Sequence, residues 1–227
     1  MTCALVVPAA GRGERLGAGL PKALVAVAGE PLLVHALRRA LGSGVVDVVV
    51  VVAPEGEQQR VRELLTPLGV PDLRVVTGGA ERQDSVRCGL AVLPEDVDVV
   101  LVHDAARCLT PPSVFRSVVE AVRGGGVAVV PVLPVSDTVK RVAAGRVLET
   151  VDRRELVAVQ TPQGFAPGPL RRAHAAATAA APATDDAGML EALGHEVLTV
   201  AGDDAAFKVT RPVDLVLAEA LLRGGGA

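Results

Sequence analysis

The chain has 227 residues, a net charge of −3 and 22% charged residues, which leaves no basic excess and argues against nucleic acid as the main partner. Half the residues are hydrophobic, yet there are only three Phe and no Tyr or Trp, so the core must be Val, Leu and Ala. The aromatic platforms on which single strands stack are therefore missing as well.

In chain order, a first strand is predicted at about Cys3–Val7. No basic region, long apolar run or cleavage site precedes it, so neither a signal peptide nor a membrane span is expected, and the cytoplasm is the predicted compartment. A Gly-rich loop follows from Pro8 to Pro21, then a helix from about Pro31 to Leu41 with Gly42 at its end. Asp47–Val52 is all Val after the Asp, the pattern of a strand covered on both faces. Glu57–Leu65 reads as a helix, Leu73–Val76 as a strand, Asp84–Leu93 as a helix and Val97–Val102 as a strand ending in His103-Asp104. A helix over Pro112–Val122, closed by Gly124, and a strand over Val127–Val132 complete this series. Val-rich runs alternating with amphipathic runs predict an α/β, Rossmann-like, mostly parallel sheet.

The rhythm breaks at Pro134. Residues 137–142 and 147–151 flank a Gly-containing turn and predict a β-hairpin whose outward Val and Leu have nothing obvious to cover them. It is either an arm that docks on a second subunit or an ordinary edge hairpin. Beyond it come a short strand near Leu156–Gln160, helices near Pro169–Ala180 and Asp185–Leu193, a strand at Glu196–Val200 and a helix from Pro212 to Leu222. The Gly-rich end at 224–227 is expected to fray. The whole chain, 1–227, is expected to be one domain with an arm at about 134–155.

Three strings point to chemistry. Pro8-Ala9-Ala10-Gly11-Arg12-Gly13-Glu14-Arg15-Leu16, followed by Leu20-Pro21-Lys22, lies after the first strand of an α/β sheet, where ligands bind. Its small residues let backbone N–H groups approach phosphate oxygens, and Arg15 and Lys22 add positive charge. A dinucleotide fingerprint would need a third Gly where Leu16 stands, and a Walker A loop would need Gly-Lys-Ser/Thr where Pro21-Lys22-Ala23 stands. In the second string, Asp104 ends a buried strand over the expected cleft, suited to a divalent cation or a hydroxyl, although a helix cap is the commoner use of a lone Asp. The third is Gly78-Gly79-Ala80-Glu81-Arg82-Gln83-Asp84-Ser85, where Gly79 and Ser85 can meet a base edge or simply form a turn and cap. Cys3, Cys88 and Cys108 have neither disulfide-framework nor zinc spacing. Cys3 and Cys88 are predicted to be core, and His103 to support Asp104 rather than act as a base.

Together with Asp137-Thr138-Val139-Lys140, Thr150-Val151-Asp152-Arg153, Thr161-Pro162-Gln163, Thr184-Asp185-Asp186-Ala187 and Lys208-Val209-Thr210-Arg211-Pro212, these strings resemble, in order and over nearly the whole chain, the methylerythritol phosphate cytidylyltransferase family. The resemblance implies a homodimer embraced through the projecting arm, with CTP and methylerythritol phosphate as substrates and Mg²⁺ as cofactor. It implies that Arg15 and Lys22 stabilise the transition state at the α-phosphate. Arg153 and Lys208 would position the acceptor, and Thr138 would contact it from the arm, Thr138 and Arg153 serving the neighbouring subunit. Ala9, Ala10, Gly11, Gly79, Ser85 and Ala105 would line the nucleotide site, and Asp104 would lie between metal, ribose and substrate. Two positions depart from the common pattern, where many members carry Pro in place of Cys108 and Asn in place of Ala206. A sister cytidylyltransferase acting on ribitol 5-phosphate, a silent nucleotide-binding homologue and an NAD-binding oxidoreductase are the alternatives.

Overall fold

The computed structural model describes all residues except 12–15, 17–18, 71, 177–184 and 225–227. Strand β1 (Thr2–Pro8) is followed by a two-residue ladder of β2 (Ala26–Val27) with β3 (Glu30–Pro31), then helix α1 (Leu32–Leu41). Three βα units follow: β4 (Val48–Ala53) with α2 (Gln58–Leu65), β5 (Asp72–Thr77) with α3 (Arg82–Ala91), and β6 (Val97–Val102) with α4 (Pro112–Arg123). Strand β7 (Ala128–Pro134) leads into the hairpin β8 (Val139–Ala143) and β9 (Arg146–Val151). The chain returns through β10 (Val157–Val159) and β11 (Gln163–Phe165), and ends with α5 (Pro167–Ala176), α6 (Asp186–Ala192), β12 (Val197–Ala201) and α7 (Pro212–Gly224).

The main sheet runs from β5 through β4, β1, β6 and β11 to β7, with β10 and β12 also paired to β7. The pairs β5–β4, β4–β1, β1–β6 and β7–β12 are parallel, as the alternating pattern predicts. Period-two geometry divides β1 between two cores: Cys3, Leu5 and Val7 pack with Leu33, Leu37 and Phe115, whereas Ala4 and Val6 pack with Val86, Leu90 and Leu170. Helices thus cover both faces, which is why β4 carries an unbroken run of fully or nearly fully buried Val. Gly89 lets α3 lie close on the sheet, since a Cβ there would come within 2.6 Å of Val6 Cγ1.

Strand β11 has no counterpart among the predicted elements. It pairs antiparallel with both β6 and β7 and so separates two strands that a simple βα series would make neighbours. Its three residues have Gly164 at the centre and no apolar run. The glycine is required by packing, because a Cβ would stand 2.4 Å from Val118 Cγ1 on α4.

The hairpin forms its own two-stranded sheet and is not an edge of the main one. Its turn residues, Ala144 at φ 47° and Gly145 at φ 74°, are both left-handed, the backbone that tightly joins two twisted strands. Val142, Val147 and Leu148 are each more than 60% exposed on it. The predicted helix over 169–180 is observed to Ala176, and its last four residues, like the 225–227 terminus, lie outside the described residues.

Candidate active site

The crevice opens where the sheet order reverses, between the carboxyl ends of β1 and β6, the place where an open α/β sheet binds ligands. A cleft of about 220 Å³ lies there, lined by residues 8–11, Lys22 and Ala23, residues 79–82 with Ser85, residues 104–106, and Lys208.

The first wall is the loop after β1. Ala9 N–H donates to the Val52 carbonyl at 2.8 Å, one residue beyond the strand. The loop closes where Lys22 N–H donates to the Gly11 carbonyl at 3.0 Å. Lys22 opens a short 3₁₀ turn whose Ala23 and Leu24 are buried, which fixes its backbone beside Ala9, Ala10 and Gly11. Arg15 lies outside the described residues, as do Arg12, Gly13 and Glu14.

The second wall is the Gly78–Ser85 string. Gly78 is pinned between two neighbours: a Cβ on it would lie 2.6 Å from Ala10 Cβ and 2.9 Å from Ser85 Oγ. A Cβ on Gly79 would lie 2.3 Å from Asp84 Cβ. Helix α3 begins with a capping box in which Glu81 and Asp84 exchange side-chain to backbone hydrogen bonds. Ser85 Oγ donates to the Glu81 carbonyl at 3.2 Å and accepts from Gly79 N–H at 3.3 Å, so it braces this loop from beneath.

The floor is Asp104. Its Oδ1 receives Arg82 Nε at 3.3 Å and its Oδ2 receives Lys208 Nζ at 2.6 Å. Burial pushes its pKa up, but the Arg82 and Lys208 charges outweigh that and hold the carboxyl well below the usual range. Arg82 also donates from Nη1 to Asp186 Oδ2 at 2.7 Å, and Asp186 Oδ1 lies 2.9 Å from His174 Nε2.

His103 supports this floor from inside. Asp104 N–H donates to Thr161 Oγ1 at 3.1 Å, and the same oxygen shares a hydrogen bond with His103 Nδ1, also at 3.1 Å. The ring is fully buried against Phe115, and burial lowers its pKa to about 4, so it is neutral; its Nε2 is buried without a hydrogen-bond partner among the described residues. Arg107 ties down the segment that carries Lys208: Nη1 donates to the Ala206 carbonyl at 2.6 Å and Nη2 to the Val159 carbonyl at 3.1 Å. Val209 N–H completes the tie to the Ala106 carbonyl at 2.8 Å. The two departures from the family pattern, Cys108 and Ala206, are both buried, and burial pushes the Cys108 thiol up to about 11.

The cleft thus unites Ala9, Ala10, Gly11, Lys22, Gly79, Ser85, Asp104, Ala105 and Lys208. Thr138 and Arg153 are exposed on the arm and its base and do not line the cleft of their own chain. Arg153 donates to the Ser136 carbonyl. Sequence reasoning assigned no role to Arg82, which its own string could have flagged as a cation one turn before Ser85. Nor did it assign one to His174, whose partnership with Asp186 has no sequence signal.

Among the described residues no three His, Cys, Asp or Glu side chains converge as an all-protein metal cage. Asp104 and Glu81 are the two carboxylates lining the cleft, and Asp104, on its floor among backbone and cations, could hold a cation carried mainly by substrate phosphates. Each Asp104 oxygen keeps a second lone pair for it beside its ion pair. Among the described residues no helix is long and apolar enough to cross a membrane.

Residues 3–224 match the family model described as 2-C-methyl-D-erythritol 4-phosphate cytidylyltransferase. The chain is similar to the protein of that name from Saccharopolyspora erythraea, 57% identical over 227 residues and covering 98% of this chain and 100% of the relative. It is also similar to the one from Streptomyces avermitilis, 52% identical, covering 96% of this chain and 91% of the relative. Among solved structures, the enzyme of the same name from Thermus thermophilus superposes with a TM-score of 0.82 at 38% identity, covering 98% of this chain and 100% of that one.

Proposed function

We infer the chemistry of the cleft from the premise that this chain belongs to the 2-C-methyl-D-erythritol 4-phosphate cytidylyltransferase family. It transfers CMP from CTP to 2-C-methyl-D-erythritol 4-phosphate, giving 4-diphosphocytidyl-2-C-methyl-D-erythritol and pyrophosphate, a step in isoprenoid precursor biosynthesis. The observation that carries this reading is the cleft at the sheet's switch point, where a small-residue loop and Lys22 face Asp104 and Lys208.

The acceptor phosphate oxygen attacks the α-phosphorus of CTP in line with the departing pyrophosphate. The nucleophile is already an anion, so the barrier is the approach of two anions, and fixed cations lower it. Lys22 and Arg15 neutralise charge at the α-phosphate. Lys208 takes the acceptor phosphate, exchanging its Asp104 partner for it. Backbone N–H groups of Ala10 and Gly11 meet the triphosphate beside Ala9, Gly79 meets the base edge with Ser85 bracing its loop, and Ala105 packs at the ribose. Reactions of this class generally need a divalent cation; Asp104 would hold Mg²⁺ together with the substrate phosphates, and the ion would supply charge neutralisation for the leaving pyrophosphate.

Thr138 and Arg153 serve the cleft of a second copy in a homodimer joined through the arm. Their absence from the lining of their own cleft and the exposed Val142, Val147 and Leu148 support this assignment. The chain acts as one nucleotidyltransferase domain in the cytoplasm.

The test is Mg²⁺-dependent pyrophosphate release with CTP, ATP, GTP or UTP against methylerythritol phosphate or ribitol 5-phosphate. Release with CTP and methylerythritol phosphate alone is expected, and preference for ribitol 5-phosphate or silence from folded protein would overturn the reading. Lys22→Ala and Arg15→Ala should each lower turnover by on the order of 10²–10³ with folding intact.

A further inference from the structure

Arg82 sits in the first turn of α3 and bridges two carboxylates that come from distant parts of the sequence. Nε meets Asp104 Oδ1 at 3.3 Å and Nη1 meets Asp186 Oδ2 at 2.7 Å. Asp186 opens α6 and has no exposed side-chain surface. Its other oxygen lies 2.9 Å from Nε2 of His174 on α5, which is itself 3% exposed. A line of polar contacts therefore runs from the interior beneath two helices to the carboxylate of the cleft.

For packing alone this line is a poor device. A fully buried carboxylate is costly to desolvate, and an apolar side chain of similar volume often serves as well or better. What the ion pair supplies is direction. The guanidinium is a planar, rigid fork, so once Asp186 fixes Nη1 the orientation of Nε follows. Asp104 then has two unlike partners. Arg82 is anchored from behind, whereas Lys208 is 41% exposed and pairs with Asp104 alone among the carboxylates of the described residues. One oxygen is held and the other can be offered to a cation or a hydroxyl.

We propose that Arg82 is a positioning residue for Asp104 in cytidylyl transfer, set in place by the buried Asp186–His174 pair. The proposal rests on the functional reading above, in which Asp104 meets the nucleotide and its cation. Asp186→Asn keeps the volume and removes the charge, and Arg82→Lys keeps the charge and removes the fork. Each should lower kcat by on the order of tenfold to a hundredfold, with the KM for methylerythritol phosphate unchanged and the thermal transition still cooperative. Because Asp186 acts only through Arg82, the double variant should be no slower than Arg82→Lys.

Wild-type kcat in Asp186→Asn, or losses that multiply in the double variant, would overturn the proposal. Should Asp186→Asn not fold, Arg82→Lys and His174→Gln, singly and together, carry the same coupling test. Absence of pyrophosphate release by the wild-type chain would refute the function itself, whereas the ratios between variants refute only the positioning.

Discussion

Substituting Gly78 with alanine tests the cleft with a single methyl group. The added Cβ would stand 2.6 Å from Ala10 Cβ, 2.9 Å from Ser85 Oγ and 3.3 Å from Val52 Cγ1. Ordinary carbon contacts are about 3.5–4.0 Å, so the gap must open by roughly 1 Å. Ala10 Cβ is one bond from the backbone and cannot rotate away, so either the loop after β1 or the start of α3 has to move. Overpacking of this kind costs about 1–3 kcal/mol, and a shift of ~1 Å in a substrate-positioning loop costs on the order of a hundredfold in rate. The assay is pyrophosphate release with CTP and methylerythritol phosphate, paired with a urea melt. Gly56→Ala is the control: φ there is +80° with nothing within 4 Å, so it should lose about 1–2 kcal/mol through backbone strain and keep full turnover when folded. Gly78→Ala with wild-type kcat and wild-type KM for CTP would refute the idea that this contact sets the loop.

Other contacts give further expected outcomes. Lys208→Met should change stability by about 1 kcal/mol or less, since the lysine is 41% exposed, while turnover falls by on the order of 10²–10³; comparable melts with retained turnover would contradict its role. Asp104 and Asp186 have folded-state pKa values below their unfolded ones, so their stabilisation is present above about pH 4 and is lost as pH falls below it; a flat urea midpoint from pH 5 to pH 3 would speak against these ion pairs. Gly164→Ala, with its Cβ 2.4 Å from Val118 Cγ1, should cost about 1–3 kcal/mol, and adding Val118→Ala should return part of it in a thermal melt.

The parallel half of the sheet was legible because its strands are buried on both faces. A run such as Val48–Val52 has no other economical use, and the helices between strands carry their own start and stop signals. Strand β11 was illegible for the opposite reason. Three residues centred on glycine have neither period nor propensity, and they are a strand only because β6 and β7 already lie on either side. The hairpin was legible from its turn, Ala144-Gly145, but whether it joins the sheet depends on long-range pairing that no local pattern records.

For the cleft, the sequence alone marked the loop after β1, Asp104 and the Gly78–Ser85 string, because all three follow readable strands at their carboxyl ends. Lys208 was marked by family resemblance, and it reaches Asp104 across 104 residues of chain. The contacts that organise the floor, Thr161 with His103 and His174 with Asp186, join residues 58 and 12 positions apart on different segments. Such partnerships are consequences of topology and follow only once the strand order is known.

The aliphatic core has an optical consequence. With no Trp or Tyr and only three Phe, the protein has almost no near-ultraviolet absorbance or fluorescence of its own. An indole introduced anywhere is therefore the sole emitter, and its spectrum reports one location without unmixing. Placed at the exposed Leu148 of the hairpin, it would shift to shorter wavelength on transfer out of water, making contact at the arm visible by dilution alone. Placed beside the cleft, it would let nucleotide arrival be followed in real time on a dark background.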